Sequence, residues 1–267
     1  MAPLVTIGVP LYNEEHFIAK TLDSLLAQDY THWEMIISDD ASTDRSGKIC
    51  ERYVRKDPRI RYLRNRNNLG CVRNCNRLVE LASGQYFLWA FQHDLYEPTY
   101  LSRCVEFMNS YPDLALCYSR TSLIDTEGKP VGLAPDVLET RGLNPVNAFR
   151  KLVREMVSGN MMFGLFRTDL LTLTSRLRSC FGHDLVLAAE LCLKGGIAQI
   201  QEPLFHRRQN RSEESAQAAH QRWVRMLQSE GPAVAAPYLF MIREYLDVVR
   251  NSTLADSDKE SSFVAAT

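Results

Sequence analysis

The chain has 267 residues, enough for one large α/β domain and a small appendage. Its 31 basic and 32 acidic residues nearly cancel, so charge makes no global case for nucleic acid or an anionic membrane as partner. Seven cysteines without a CxxC pair point to reduced thiols in a cytosolic setting. No apolar run is long enough to span a bilayer, and Met1 to Val5 leads straight into a strand, so no targeting segment is expected.

Val5 to Pro10 reads as a buried first strand, followed by the polar loop Tyr12-Asn13-Glu14-Glu15. Phe17, Ile18, Leu22, Leu25 and Leu26 then recur at helical spacing. Trp33 to Ser38 is a second strand, ending in Asp39-Asp40. Ser42-Thr43-Asp44 offers capping chemistry for a helix from Arg45 to Val54. Ile60 to Leu63 is a short strand, Asn67 to Gly70 a turn, and Val72 to Leu81 a helix. Tyr86 to Ala90 is an uninterrupted apolar run, the pattern of a strand buried on both faces, and it breaks into Gln92-His93-Asp94. Pro98 opens a helix to Ser110, and Leu114 to Ser119 is another strand.

Thr126 to Gly142 holds three glycines and two prolines and reads as a mobile loop. A helix from Asn144-Pro145 toward Met156 follows, then a strand over Gly159 to Phe166 and a short helix over Thr168 to Leu173. Phe181-Gly182-His183-Asp184 leads into a helix from Leu185 to Leu193. Ile197 to Gln201 and Leu204 to Arg208 read as two strand pieces separated by Glu202-Pro203. Two helices are expected from Glu213, broken near Gly231-Pro232. The second carries an apolar stripe from Tyr238 to Val249, suited to the protein's own core, a partner or a membrane surface. Beyond Asn251 the Ser, Asp and Lys content predicts a disordered tail. Strands alternating with helices imply a mostly parallel sheet flanked by helices.

In such a sheet, ligands bind outside the carboxyl ends of the strands. The first strand supplies Tyr12, Asn13 and Glu14 there, the second Asp39 and Asp40, the fourth His93 and Asp94. Carboxylates only accept hydrogen bonds, which suits ribose hydroxyls and base N–H groups. No GxGxxG follows the first strand and no GKS or GKT loop occurs, which argues against a dinucleotide or P-loop site. Phosphates bound among carboxylates normally need a divalent cation between them.

Taken together, VTIGVPLYNEEHFI, SLLAQDY, WEMIISDDASTD, NNLG, WAFQHDLYEP, GNMMFGLF, FGHDLVLAAELCLKGG and EPLFHRR resemble the family-2 nucleotide-sugar glycosyltransferases, over about Leu4 to Ser215. The resemblance implies a GT-A type, Rossmann-like mixed and mostly parallel α/β sheet with a C-terminal helical appendage. It implies a domain over 1–212, with a nucleotide-sugar half (1–120) and an acceptor half (121–212), then helices over 213–250 and the tail 251–267. The loop Pro10 to Glu14, including Tyr12 and Asn13, would wrap base and ribose. Asp40 would hold uracil, and the segment Asn68 to Arg73 would border the pocket. Asp184 stands where the family has its catalytic base, which deprotonates an acceptor hydroxyl for in-line attack and inversion. The implied donor is a nucleoside diphosphate sugar, UDP by the Asp40 position. The implied acceptor is a glycan or lipid-linked glycan in bacterial surface polysaccharide synthesis, at the cytosolic face of a membrane with peripheral association. The alternative is a non-catalytic nucleotide-sugar-binding relative that regulates or scaffolds.

One departure from the family bears on the cofactor. Counting back from Pro98, the metal-binding acid of a DXD-type motif falls on His93 and its earlier acid on Phe91. A Mn²⁺ or Mg²⁺ ion would then be held by His93, or by Asp94 after a small loop shift. Otherwise Arg207, Arg208 and Arg211 would meet the diphosphate, since guanidinium forks pair well with phosphate oxygens. Many relatives carry a histidine at the position of Asn210.

Overall fold

The computed structural model describes residues 2–135, 137–155, 159–209 and 237–266. The first part of the chain is β1 (Val5–Leu11), α1 (Ile18–Leu26), β2 (Trp33–Asp39), α2 (Ser46–Val54), β3 (Ile60–Arg64), α3 (Cys71–Glu80) and β4 (Tyr86–Trp89). Then follow β5 (Leu95–Tyr96), α4 (Tyr100–Ser110), β6 (Leu114–Ile124), β7 (Pro130–Leu133), α5 (Pro145–Glu155) and β8 (Leu165–Arg167). The last elements are α6 (Thr168–Thr172), α7 (His183–Cys192), β9 (Gly196–Arg208), α8 (Pro237–Arg250) and α9 (Asp256–Ala266).

The nine strands form one sheet in the order β3-β2-β1-β4-β8-β6-β9-β5, with β7 paired to β6. β1 runs parallel to β2 and β4, and β6 parallel to β9; β8 is antiparallel to both β4 and β6. Two reversals restore the direction, so β1, β2, β4, β6 and β9 all end on one edge. That edge carries the loops of interest. Strand residues alternate between two cores, as a pleated sheet covered on both faces requires. Ile36, Phe87 and Trp89 face α3, α5, α7 and α8, while Met35, Ile37, Tyr86 and Leu88 face α1, α2 and α4. The apolar stripe of α8 thus packs inward through Tyr245, Val248 and Val249.

Four sequence expectations change. The run from Gly159 is not one strand: Asn160–Phe163 forms a 3₁₀ turn before β8. Buried Met161 and Met162 satisfy an apolar pattern in either geometry. The two late strand pieces are one strand, β9. Its register with β6 shifts between Ser119 and Thr121, so Pro203 sits in an exposed irregularity where no ladder N–H is needed. The 126–142 segment is partly ordered, with β7 on β6 and the Thr140 amide donating to the Ile197 carbonyl at 2.8 Å. The 251–267 tail is not disordered throughout, because α9 occupies Asp256–Ala266. It is held by fully buried Ser262 and by Arg150, which donates to the Ser261 carbonyl at 3.0 Å and to its hydroxyl. Of the two helices expected from Glu213, the second is α8; the first, with Asn210 and Arg211, lies outside the described residues.

Candidate active site

The loop after β1 is fastened to the loop after β2 by side chains. Asn13 N donates to Ser42 Oγ at 3.1 Å, Glu14 N to Ser46 Oγ at 2.8 Å and Glu15 N to Asp44 Oδ2 at 3.0 Å. In return Thr43 N donates to Asn13 Oδ1 at 2.7 Å. Asn13 takes a left-handed conformation (φ 51°), tolerable for Asn, and so faces its side chain across the gap. Asp44 therefore serves both loops, since it also accepts from Ser46 N at 2.9 Å. Burial pushes its carboxyl up, but the bonds from Ser46 and Glu15 outweigh this and hold it below the usual range. Tyr12 remains exposed at the rim. Pro10 is a buried β1 residue opposite Ser38, within the sheet rather than on the loop.

Both acids of the Asp39-Asp40 pair are buried and fully engaged. Asp39 accepts from Ser42 N at 2.8 Å, from Arg64 Nη1 at 2.8 Å and from the Tyr62 hydroxyl. Asp40 Oδ1 accepts from Leu69 N and Asn65 Nδ2, each at 2.8 Å, and its Oδ2 from Gly70 N at 2.9 Å. Gly70 supplies the positive φ (84°) that turns these amides inward. Asn68 Nδ2 adds a bond to the Asp40 carbonyl at 3.2 Å. Asp40 and Asn68 are thus brought together, with Asp40 as the anchor of the 68–70 turn. Arg73 is exposed on the first turn of α3. Two residues absent from the sequence reading hold this arrangement. Asn74 links Ser38 to Asn65, and Asn65 in turn holds Asp40. Their only sequence signal was polarity at positions that α3 and β3 turn toward the sheet.

At the end of β4, His93 and Asp94 part company. Asp94 is fully buried: its Oδ1 accepts from Arg208 N at 2.9 Å, and its own carbonyl accepts from Thr21 Oγ1 at 2.8 Å. Burial raises its carboxyl above the usual range, opposed by His93, Arg208 and Arg207. Arg208 is buried too, and two of its three guanidinium nitrogens donate to carbonyls, with Nη2 left without a partner among the described residues. Nε donates to His93 O at 2.9 Å, and Nη1 to Asp125 O at 2.7 Å and Thr126 O at 2.8 Å. These bonds make Arg208 a strut between β4, β9 and the loop after β6, with only Nη2 left over for the expected diphosphate. Arg207 points the other way: it is half-buried, donates to Asn160 Oδ1 at 2.8 Å and acts electrostatically on His93 and Asp94. His206, beside it, pairs with Glu97 Oε1 at 2.7 Å instead.

His93 lies 3.4 Å from Glu14 Oε1 and 4.0 Å from Asp94 Oδ1. Burial lowers its basicity, yet the two carboxylates outweigh burial and raise it above the ordinary imidazole value. A raised folded-state value adds stability below the unfolded value near 6.5, and that stability is lost as pH rises through the folded value. Wild type should accordingly lose stability relative to His93→Gln as pH rises from about 6.5, and denaturation midpoints across that range check this.

A hard divalent cation takes several oxygen ligands with an open face. Here one Asp94 oxygen is committed to a backbone amide, though Oδ2 has no hydrogen-bond partner, and an imidazole stands in the expected acid's place. Among the described residues no three His, Cys, Asp or Glu side chains converge on a point. This donor set does not fit a hard-cation site.

Asp184 sits in the first turn of α7. Its Oδ1 accepts from Leu185 N at 3.0 Å. Gly159 packs directly on the carboxylate: a Cβ there would overlap Asp184 Oδ2. The neighbouring residue is Asn160, the acceptor for Arg207. The segment Gly159-Asn160 therefore touches Asp184 on one side and the cationic end of β9 on the other.

A mostly parallel sheet with acidic loops at its carboxyl edge, and a further carboxylate on a later helix, matches the GT-A glycosyltransferase fold. Solved structures agree on the fold. TarS of S. aureus in complex with UDP-GlcNAc superposes with a TM-score of 0.72 at 18% identity, covering 97% of this chain and 70% of that one. A mannosyltransferase of Pyrobaculum calidifontis, in complex with GDP-Man and Mn²⁺, gives 0.60 at 14%, over 100% of this chain and 73% of that one. The glycosyl transferase family 2 profile matches residues 6–168, and the chain belongs to that family. TuaG of Bacillus subtilis, assigned to teichuronic acid biosynthesis, is 34% identical over 129 residues, 48% of this chain and 51% of TuaG. The chain spans about half or less of the length of the first curated relatives it matches.

Proposed function

We propose that this chain transfers a sugar from a nucleoside diphosphate, UDP first among them, to an acceptor hydroxyl with inversion. The observation that carries this reading is the segment Gly159-Asn160, which packs on Asp184 through Gly159 and accepts from Arg207 through Asn160. In this reading Asp184 Oδ2 takes the proton of the acceptor hydroxyl. The freed oxygen attacks the anomeric carbon as the bond to the diphosphate breaks on the opposite face. The charge arriving on the phosphate oxygens is met by Arg207 and by the His93 side chain. Tyr12 at the rim would cover the base, and Arg73 would reach the nucleotide from α3. Glycan assembly at a bacterial surface is the setting that the resemblance to TuaG supports. We place the reaction at the cytosolic face of a membrane, where exposed Tyr238 and Leu239 of α8 offer apolar contact. Among the described residues no helix is long and apolar enough to cross a membrane.

The test is a panel of UDP-, GDP- and dTDP-sugars with a broad set of glycan acceptors, run with Mn²⁺ and with EDTA. Transfer from one donor, with inverted product by NMR, is the expected result, and it should survive EDTA because His93 replaces an acid. Full loss in EDTA restored by Mn²⁺ would instead make His93 and Asp94 ligands. One observation favours the regulator or scaffold reading: the acid expected at His93 is gone. Tight donor binding with no turnover under either condition would establish that alternative.

A further inference from the structure

The first turn of α7, which carries Asp184, has no side-chain cap. Gly182 stands at its N-cap in a left-handed conformation (φ 67°), with no side chain to bond the turn. Its carbonyl accepts from Val186 N at 2.9 Å, so a rotation at Gly182 swings Asp184 with it. One face of α8 closes on this glycine and the residues before it. A Cβ on Gly182 would lie 2.5 Å from Met241 Sδ, so the thioether packs directly on the backbone there. The Phe181 ring meets Tyr238 edge-on, with 5.2 Å between centroids. Arg178 Nη1 donates to Glu244 Oε2 at 2.6 Å, and Nη2 to Glu190 Oε1 of α7 at 2.7 Å and to Ser175 Oγ at 3.1 Å. Tyr245 is buried in the same core as Leu177 and Cys180. Burial pushes its hydroxyl up, and the Asp184 carboxylate pushes it further, as a nearby negative charge does. Positions 238, 241, 244 and 245 share one face of a helix.

We propose that α8 is a positioning element of the catalytic centre: Met241 and Glu244 hold residues 178–182 so that Asp184 meets the acceptor hydroxyl. The catalytic part rests on the reading of Asp184 as the base; the packing does not. Both the turn and α8 lie beyond the residues that the family profile matches, which end at 168. Glycine has more backbone freedom than any other residue, so packing from outside must fix it here. A reacting group misplaced by about 1 Å can cost about 10²-fold in rate. The contacts differ in kind and act at opposite ends of the segment. Met241 fills the space into which Gly182 would move. Glu244 fixes Arg178 through an ion pair whose side chains are only 13% and 20% exposed, so water does little to loosen it. The nucleotide, in the proposed mechanism, lies with the loops after β1 and β2, which these contacts do not include. Losing either contact should therefore slow transfer and leave nucleotide binding in place.

The experiment compares Met241→Ala, Met241→Leu and Glu244→Gln in the full chain. In Met241→Ala and Glu244→Gln, kcat should fall about tenfold, with UDP affinity by calorimetry within about twofold of wild type. Met241→Leu keeps the bulk against Gly182 and should transfer at close to the wild-type rate. A merely structural role would not give a loss of rate without a loss of binding, rescued by leucine. Hydrogen exchange followed by mass spectrometry gives a readout independent of turnover. In Met241→Ala and Glu244→Gln the peptide over residues 178–187 should exchange about tenfold faster, while the loops after β1 and β2 keep their protection. Unchanged exchange over 178–187, or exchange raised throughout the chain, overturns the proposal. So does a wild-type kcat in both variants while Asp184→Asn is inactive. If Asp184→Asn itself transfers at full rate, the base reading fails and the catalytic role of α8 falls with it, while exchange still decides whether α8 holds the turn.

Discussion

Asp184→Asn should lower transfer by about 10²–10⁴-fold while leaving donor affinity and thermal midpoint close to wild type. The amide is nearly isosteric with the carboxylate. It still accepts from Leu185 N and still fits against Gly159, so the first turn of α7 has no reason to move. What it loses is the ability to take a proton. In the proposed mechanism the loss falls on kcat, because the group acts there only as the acceptor hydroxyl attacks. Single-turnover transfer, with nucleotide binding measured separately by calorimetry, checks both halves. An Asn variant at full rate would move the base elsewhere.

The neighbouring arginines of β9 should respond oppositely to the same change. Arg208→Met strands the carbonyls of His93, Asp125 and Thr126 in a buried site, at a cost of about 3 kcal/mol or more in unfolding free energy. Arg207→Met removes one half-buried hydrogen bond, so stability should change by only about 1 kcal/mol. Its turnover should fall by about 10²–10³-fold, the usual effect of losing a group aimed at transition-state charge. Urea denaturation and steady-state kinetics on the two variants separate a strut from a phosphate contact. Equal stability losses would contradict the geometry.

The architecture was legible where burial dictates composition. β1, β2 and β4 are apolar runs with polar ends, and those ends carry Asn13, Asp40 and His93. What escaped was set by contacts with backbone groups, which leave no mark on composition. Arg207 and Arg208 are adjacent and chemically identical, yet strand alternation turns one toward Asn160 and the other into the interior. α9 looked like a solvated tail because its anchors are Ser261, Ser262 and partly buried Phe263, too few to make an apolar stripe. The 3₁₀ turn at Asn160 escaped because a short buried run reads alike as strand or turn. Gly159 carried no chemistry of its own to notice; its meaning is the space it leaves for Asp184.

The fastening of the loop after β1 to the loop after β2 has a kinetic consequence. Backbone amides 13, 14, 15 and 43 are each tied to a side chain across the gap between the ends of β1 and β2. An arriving nucleotide has little chain to order, so it avoids the entropy that a folding loop would charge against affinity. Association should then be a single step whose observed rate rises linearly with ligand concentration, without the plateau of a slow closure. Ser42→Ala, which frees the Asn13 amide, would be the place for such a plateau to emerge.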